Sequence, residues 1–176
     1  MSCGCNEEFI GHYGHAIVPI VVDQFTPING SALAQDEAIV AATMTLPCFF
    51  RTDGGRSEIV QIDLLEEADG TANIKQAALR ASFFNADPGA PGTGALVLDD
   101  SKEMYTALFK SGAAAAETPY QGYARVDAQH RRATIKPGVV VSGVTSDAYL
   151  WILADGAVTF HSSGRITPIV WVRHHV

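Results

Sequence analysis

Apolar residues along the chain fall in short runs cut by Gly, Pro, Asp and Asn, a pattern that predicts strands joined by turns. In RSEIVQIDLLEE (56–67), Val60, Ile62 and Leu64 alternate with Gln61 and Asp63, so one face is predicted apolar and the other partly wet. QAALRASFF (76–84) repeats the alternation, with Leu79, Ala81 and Phe83 opposite Arg80 and Ser82. The turn sequence DGTAN between them predicts that the two strands form a hairpin. AIVPIVV (16–22) is apolar on both faces, and Pro19 restricts it to a sheet edge or a bulge. DEAIVAATMTL (36–46) reads as a further strand, although its alanines also suit a helix.

Strands resume late in the chain with GYARVD, RRATIK, GVVVSGV, AYLWILA, AVTFHSS and ITPIVWVR. Tyr149 to Leu153 is apolar on both faces, as a strand covered on both sides requires. The count is about eight to ten strands, spaced as in a β-sandwich or barrel. Two segments depart from the pattern. NADPGAPGTGA (85–95) is too rich in Pro and Gly to be other than a loop. DDSKEMYTALFKSG (99–112) predicts one short helix: Asp100 and Glu103 stand at capping-box spacing, Tyr105, Leu108 and Phe109 share a helical face, and Gly112 suits the stop. The expected organisation is an extended N-terminal arm over 1–25 followed by a single sandwich domain over 26–176.

Composition narrows the role. Hydrophobic residues make up 47% of the chain and charged residues 18%, against about 25% charged in an average soluble domain. Part of the surface is therefore expected to meet other protein. The net charge of -7 argues against nucleic acid as a partner, because phosphate binding needs clustered Lys and Arg, and the densest basic cluster, His130-Arg131-Arg132, is small. No run reaches the length of a membrane span, and the start lacks the pattern of a signal peptide, so the chain is expected to be made and kept in a cytoplasm-like compartment. Three cysteines, an odd number, do not suggest a disulfide framework, and Cys48 beside Phe49-Phe50 reads as a small buried hydrophobe.

Candidate chemistry is sparse. There is no Gly-rich phosphate loop between strand and helix, no nucleophile elbow, and no His-x-His with following Glu and His of the kind that metal-dependent β-barrel enzymes carry. The acidic pairs Glu66-Glu67 and Asp99-Asp100 read as a solvated strand end and a helix N-terminus. One cluster is sharp: Cys3, Cys5, His12 and His15 supply four donors of the type that closes a tetrahedral zinc site. Their spacing, Cys-x-Cys and His-x2-His, is tighter than that of structural zinc fingers, and His174 and His175 could join only if the termini meet. The other reading is an assembly arm lying on a neighbouring subunit, with Phe9, Ile10 and Tyr13 as anchors. No catalytic residue and no cofactor other than this possible zinc is indicated.

Two segments, SEIVQIDLLEEADGTANIKQAALRASFFNADPG and DAYLWILADGAVTFHSSGRITPIVWV, resemble tailed-bacteriophage virion proteins with a jelly-roll-like β-sandwich. The resemblance lies in order and pattern across residues 56 to 173: Ala81-Ser82-Phe83-Phe84 with Asp87-Pro88, then Asp99 to Phe109, then Leu150 to Phe160 and Ile166 to Val172. It implies an all-β, jelly-roll-like antiparallel β-sandwich and a structural, non-enzymatic role. The implied type is a capsid decoration or cement protein that sits as a homotrimer on the capsid exterior and contacts the major capsid protein. Two rival readings remain. One is a carbohydrate- or receptor-binding module of the virion using Tyr120, Tyr123 and Trp151, and the other a metal-dependent β-barrel enzyme using the opening cluster.

Overall fold

A computed structural model describes residues 16–28, 32–67, 78–92, 102–109, 123–125, 130–160 and 164–175, with backbone alone at 123–125, 130 and 131. The described elements are β1 (Ile17–Val21), β2 (Met44–Leu46), β3 (Arg56–Glu67), β4 (Leu79–Phe84), β5 (Glu103–Phe109), β6 (Tyr123–Arg125), β7 (His130–Ile135), β8 (Val139–Ser142), β9 (Ala148–Ala154) and β10 (Arg165–His175). No helix occurs among the described residues. The strands form two antiparallel sheets, one ordered β1-β10-β3-β7-β6 with β8 also on β3, the other β2-β9-β4-β5. The fold is an all-β, jelly-roll-like sandwich.

The long β3 organises the larger sheet. Its one flank takes β10 over its whole length; its other flank takes β8 beside Arg56 to Ile59 and β7 beside Ile62 to Glu67. Trp171 pairs with Gln61 and Val172 with Ile59, so Val60 is the extra residue of a bulge. The bulge resets the alternation. Ile59, Ile62 and Leu64 enter the core, whereas the simple period of two had Val60 there.

The predicted hairpin does not form. β3 belongs to the larger sheet, and β4 lies in the smaller one between β9 and β5. The predicted helix is also absent: β5 is a strand whose Tyr105, Ala107 and Phe109 stand opposite Phe83, Ala81 and Leu79. Tyr105 and Phe109 of the predicted helical stripe serve the strand's inward face equally well, whereas Leu108, its third member, turns outward at 48% exposed. Pairing with β4 supplies the backbone hydrogen bonds that decide between the two. Glu103, read as a capping residue, instead accepts from the Thr106 hydroxyl. The predicted capping partner Asp100 lies outside the described residues.

The expected strand 36–46 is broken in the middle. Asp36 and Ile39 donate to Ala154 O and Ile152 O at 2.8 and 3.0 Å, and Met44 to Leu46 pair with Leu150 to Ala148. Between them residues 39–42 form a bend that interrupts the strand. This bend and the 85–91 segment cover the smaller sheet on its side away from the core: Trp151 Nε1 donates to Thr43 Oγ1 at 2.7 Å, and Thr43 in turn donates to Gly89 O. Arg80 ties the cover down, with Nη2 2.7 Å from Asp155 Oδ1 and Nη1 2.8 Å from Asp36 Oδ1. The Asp36 contact is an ion pair lying off the hydrogen-bond axis.

The core between the sheets holds Phe49, Phe50, Phe83, Leu46, Ile59, Ile62, Leu79 and Leu150, all fully buried. Phe49 and Phe50 pack edge to face at 4.9 Å. Phe84 faces the other way, edge-on to Trp151 at 4.9 Å beneath the cover. β9 is thus apolar on both sides because it is covered on both.

Candidate functional site

β1 is the outer strand of the larger sheet, and its register on β10 fixes which side chains share a face. Ile20 stands opposite Val170, which stands opposite Ile62, and all three are buried. The alternate positions therefore line the outside of the sandwich: Ile17, Pro19 and Val21 on β1, Ile169 and Trp171 on β10, and Gln61, Asp63 and Leu65 on β3. Ile17 is 44% and Val21 64% exposed. Ile169, Trp171 and Leu65 are half-buried, so this is an apolar stripe on the outer face of the sheet whose exposed part lies on β1, at the rim.

The two prolines fit this edge in different ways. Val22 N donates to Pro168 O at 3.0 Å, which puts the even-numbered residues of β1 in bonding contact with β10 and turns the odd ones to the open side. The missing N–H of Pro19 thus falls on the open edge and removes no ladder bond, as the sequence suggests. Pro168 lies on β10, which is flanked on both sides, at the end of its pairing with β1. Pro19, expected at a sheet edge or a bulge, stands on an edge strand, and Pro168 does not.

Within the stripe sits a buried carboxylate. Asp63, 1% exposed, accepts from Trp171 Nε1 at 2.9 Å, Thr134 Oγ1 at 2.5 Å and Gln61 Nε2 at 2.9 Å. Alternation alone marked it as a wet position. Its oxygens are instead satisfied by donors from β10, β7 and its own strand, which pin the Trp171 ring against the sheet. Glu66, also read as solvated, is 4% exposed, and Glu67 accepts from Gln24 Nε2 at 2.8 Å.

The end of the sheet at Arg173–His175 gathers the histidines. Arg173 Nη1 lies 2.7 Å and His175 Nε2 3.7 Å from Glu58 Oε2. His174 points to the other face, its Nδ1 3.3 Å from Ser57 Oγ. The Ser57 hydroxyl gives its one proton to Phe49 O at 2.7 Å, so the His174 contact requires an Nδ1–H donor. A serine that is fully buried and already donating to a carbonyl is no activated nucleophile. Burial, then the charge of Arg51, holds the His174 imidazole below its ordinary pKa. Among the described residues no three His, Cys, Asp or Glu side chains gather as a metal site.

The sequence-predicted site residues Cys3, Cys5, His12 and His15, and the predicted anchors Phe9, Ile10 and Tyr13, lie outside the described residues, as do Tyr120 and His161. Of the aromatics proposed for sugar binding, Trp151 is 7% exposed and committed to Thr43 and Phe84. Cys48 is not the buried hydrophobe expected. It is half-buried at φ 53°, its N–H bonded to Asp147 Oδ1 at 3.0 Å, and it is disulfide-bonded. The apolar stripe was missed because its parts come from three strands far apart in sequence. The only sequence signal for it was the two-sided apolarity of 16–22.

No family model matches the chain, and no curated protein matches it. Among solved structures, the capsid of Ralstonia phage GP4 is similar at 12% identity and a TM-score of 0.41, covering 92% of this chain and 85% of that one. The cyanophage Pam1 capsid gives 13% identity and a TM-score of 0.38, covering 94% and 90%. Tomato aspermy virus gives 8% identity and a TM-score of 0.34, covering 94% and 80%. Because likenesses at this level carry no assignment, the role of the chain is argued from its own residues.

Proposed function

We propose that the chain is a structural protein of a bacteriophage virion, a capsid decoration protein that assembles as a trimer on the outside of the head and contacts the major capsid protein. The observation that carries this reading is the apolar edge strand with Ile17 and Val21 exposed, beside the half-buried Ile169, Trp171 and Leu65 on the outer face of the larger sheet. A free-standing sandwich carries polar residues there, and a contiguous apolar patch rimmed by charge marks a contact with protein. Glu58, Arg173, Glu67 and Arg165 form such a rim on β3 and β10. The lean charge content and the phage-like order of segments point the same way. Binding confined to the assembled shell would add to shell stability by mass action.

The test is the pair of exposed substitutions Ile17→Lys and Val21→Lys. Surface changes of this kind alter folding stability by about 0.5 kcal/mol or less, so the melting temperature is expected to hold. Sedimentation is expected to shift from trimer to monomer, and occupancy on capsids of the parent phage to fall at least tenfold. Variants that assemble and decorate capsids as the parent does would overturn the reading.

A further inference from the structure

We infer that the loops at 48–55 and 143–147 dock the chain on an acidic protein surface of the shell, an assignment that rests on the decoration reading. The two loops lie side by side at the end of the sandwich where β3 and β8 pair, and they are stitched to each other. Phe50 N donates to Ser146 O at 2.8 Å, Gly54 N to Val144 O at 3.2 Å and Gly143 N to Gly55 O at 2.9 Å. Ser146 N donates to Asp53 Oδ1 at 2.8 Å, and Cys48 N to Asp147 Oδ1 at 3.0 Å. Beneath them the Phe50 ring is fully buried in the core. Gly54, at φ 71°, takes the left-handed turn that brings the first loop back into β3.

Connecting loops are ordinarily polar and mobile. This pair is held backbone to backbone, and it presents an apolar side chain at its tip: Val144 is 62% exposed. A tip fixed before its partner arrives loses little conformational freedom on binding, which is the property of a preorganised contact. The charges around it are sorted by direction. Both carboxylates of the loops, Asp53 and Asp147, accept N–H groups of the opposite loop. Arg51 and Arg56 are exposed, and neither has an ion pair among the described residues.

The chain has 19 acidic residues and 12 basic ones, so two arginines with no carboxylate against them are out of keeping with its composition. Beside an exposed valine they fit a partner that brings its own Asp and Glu side chains around an apolar recess, the usual anatomy of a contact between proteins. Nucleic acid suits the loops less well, because the tip offers it a valine where a phosphate needs a cation and the chain as a whole carries a charge of -7. The placement also leaves the two surfaces independent. β8, which leads into the second loop, lies on the flank of β3 opposite to β10, and β10 and β1 carry the apolar stripe. The stripe is thus free to join copies of the chain while the loops meet the shell.

The experiment measures co-sedimentation of the full chain with undecorated shells of the parent phage, with native mass and melting temperature recorded alongside. Val144→Asp and Arg51→Glu are expected to keep the parent's oligomeric mass and melting temperature while shell affinity falls about tenfold or more, the scale of a central contact residue. Parent binding is expected to weaken as salt is raised, because ion pairs at a contact rim are screened, and the salt dependence to flatten in Arg51→Gln. Should Val144→Asp melt early, Val144→Ser takes its place, with the same loss expected. A parent that binds shells beside variants that bind them equally well overturns the inference and leaves the decoration reading standing. A parent that does not bind shells overturns both. Binding to a duplex DNA oligonucleotide as tight as to shells, and lost in Arg51→Glu, would overturn the choice of a protein partner.

Discussion

Trp171 and Asp63, 108 residues apart in sequence, meet on the outside of the larger sheet, where the indole Nε1 donates to the carboxylate at 2.9 Å. The bond joins β10 to β3, and Thr134 extends it to β7. It decides how the apolar stripe is presented, because it fixes the plane of the largest side chain on that face.

Asp63→Ala leaves the Trp171 N–H and the Thr134 hydroxyl without their acceptor in a buried place. A loss of about 1–3 kcal/mol in folding free energy is expected, read by urea denaturation. A red shift of the Trp171 emission should accompany it as the ring is released, with Trp171→Phe assigning the signal. A variant as stable as the parent would show that the bond is incidental to the sheet.

Close packing at the β8–β9 turn gives a second test. A Cβ on Gly143 would lie 2.3 Å from the Phe50 ring, which is itself fully buried. Gly143→Ala must displace that ring or the turn, whose Gly143 N donates to Gly55 O at 2.9 Å. Overpacking of this kind costs about 1–3 kcal/mol. The double variant Gly143→Ala with Phe50→Leu should lose less than the sum of the two single changes. Strict additivity would contradict the contact.

The buried imidazole of His174 sets a pH dependence. Its pKa in the fold is lowered, by burial first and Arg51 second, from an ordinary value of 6.5. The folded chain therefore binds fewer protons than the unfolded chain below that value. The contribution is fully present above pH 6.5 and is lost as the pH falls from there through the folded pKa. The groups nearest this end, Arg51, Glu58, Arg173 and His175, are common to the parent and to His174→Gln. Denaturation midpoints measured from pH 7.5 downward should fall less steeply for His174→Gln. Parallel slopes would remove His174 as the source.

The strands that the sequence disclosed are those whose pattern is set by their own two faces. β9 reads as apolar throughout because loop residues around Thr43 and Gly89 cover its far side, and β4 alternates because Arg80 and Ser82 face away from the core. What stayed hidden depends on partners. Tyr105, Leu108 and Phe109 suit a helix until β4 pairs with them, and no local signal says that β3 and β4 enter different sheets. Asp63 and Glu66 read as solvated because the donors and the packing that bury them come from strands far along the chain. The apolar edge at 16–22 was visible, but the stripe it completes with Ile169, Trp171 and Leu65 exists only once β1, β10 and β3 lie side by side.

Native mass spectrometry of the full chain, beside its Val21→Lys variant, tests the assembly reading most directly. The parent should appear at three times the 18.7 kDa chain mass, and the variant at the mass of a single chain with an unchanged melting temperature. A parent that stays monomeric at the concentrations where it decorates capsids, or a variant as trimeric as the parent, would contradict assembly through the outer face of β1 and β10.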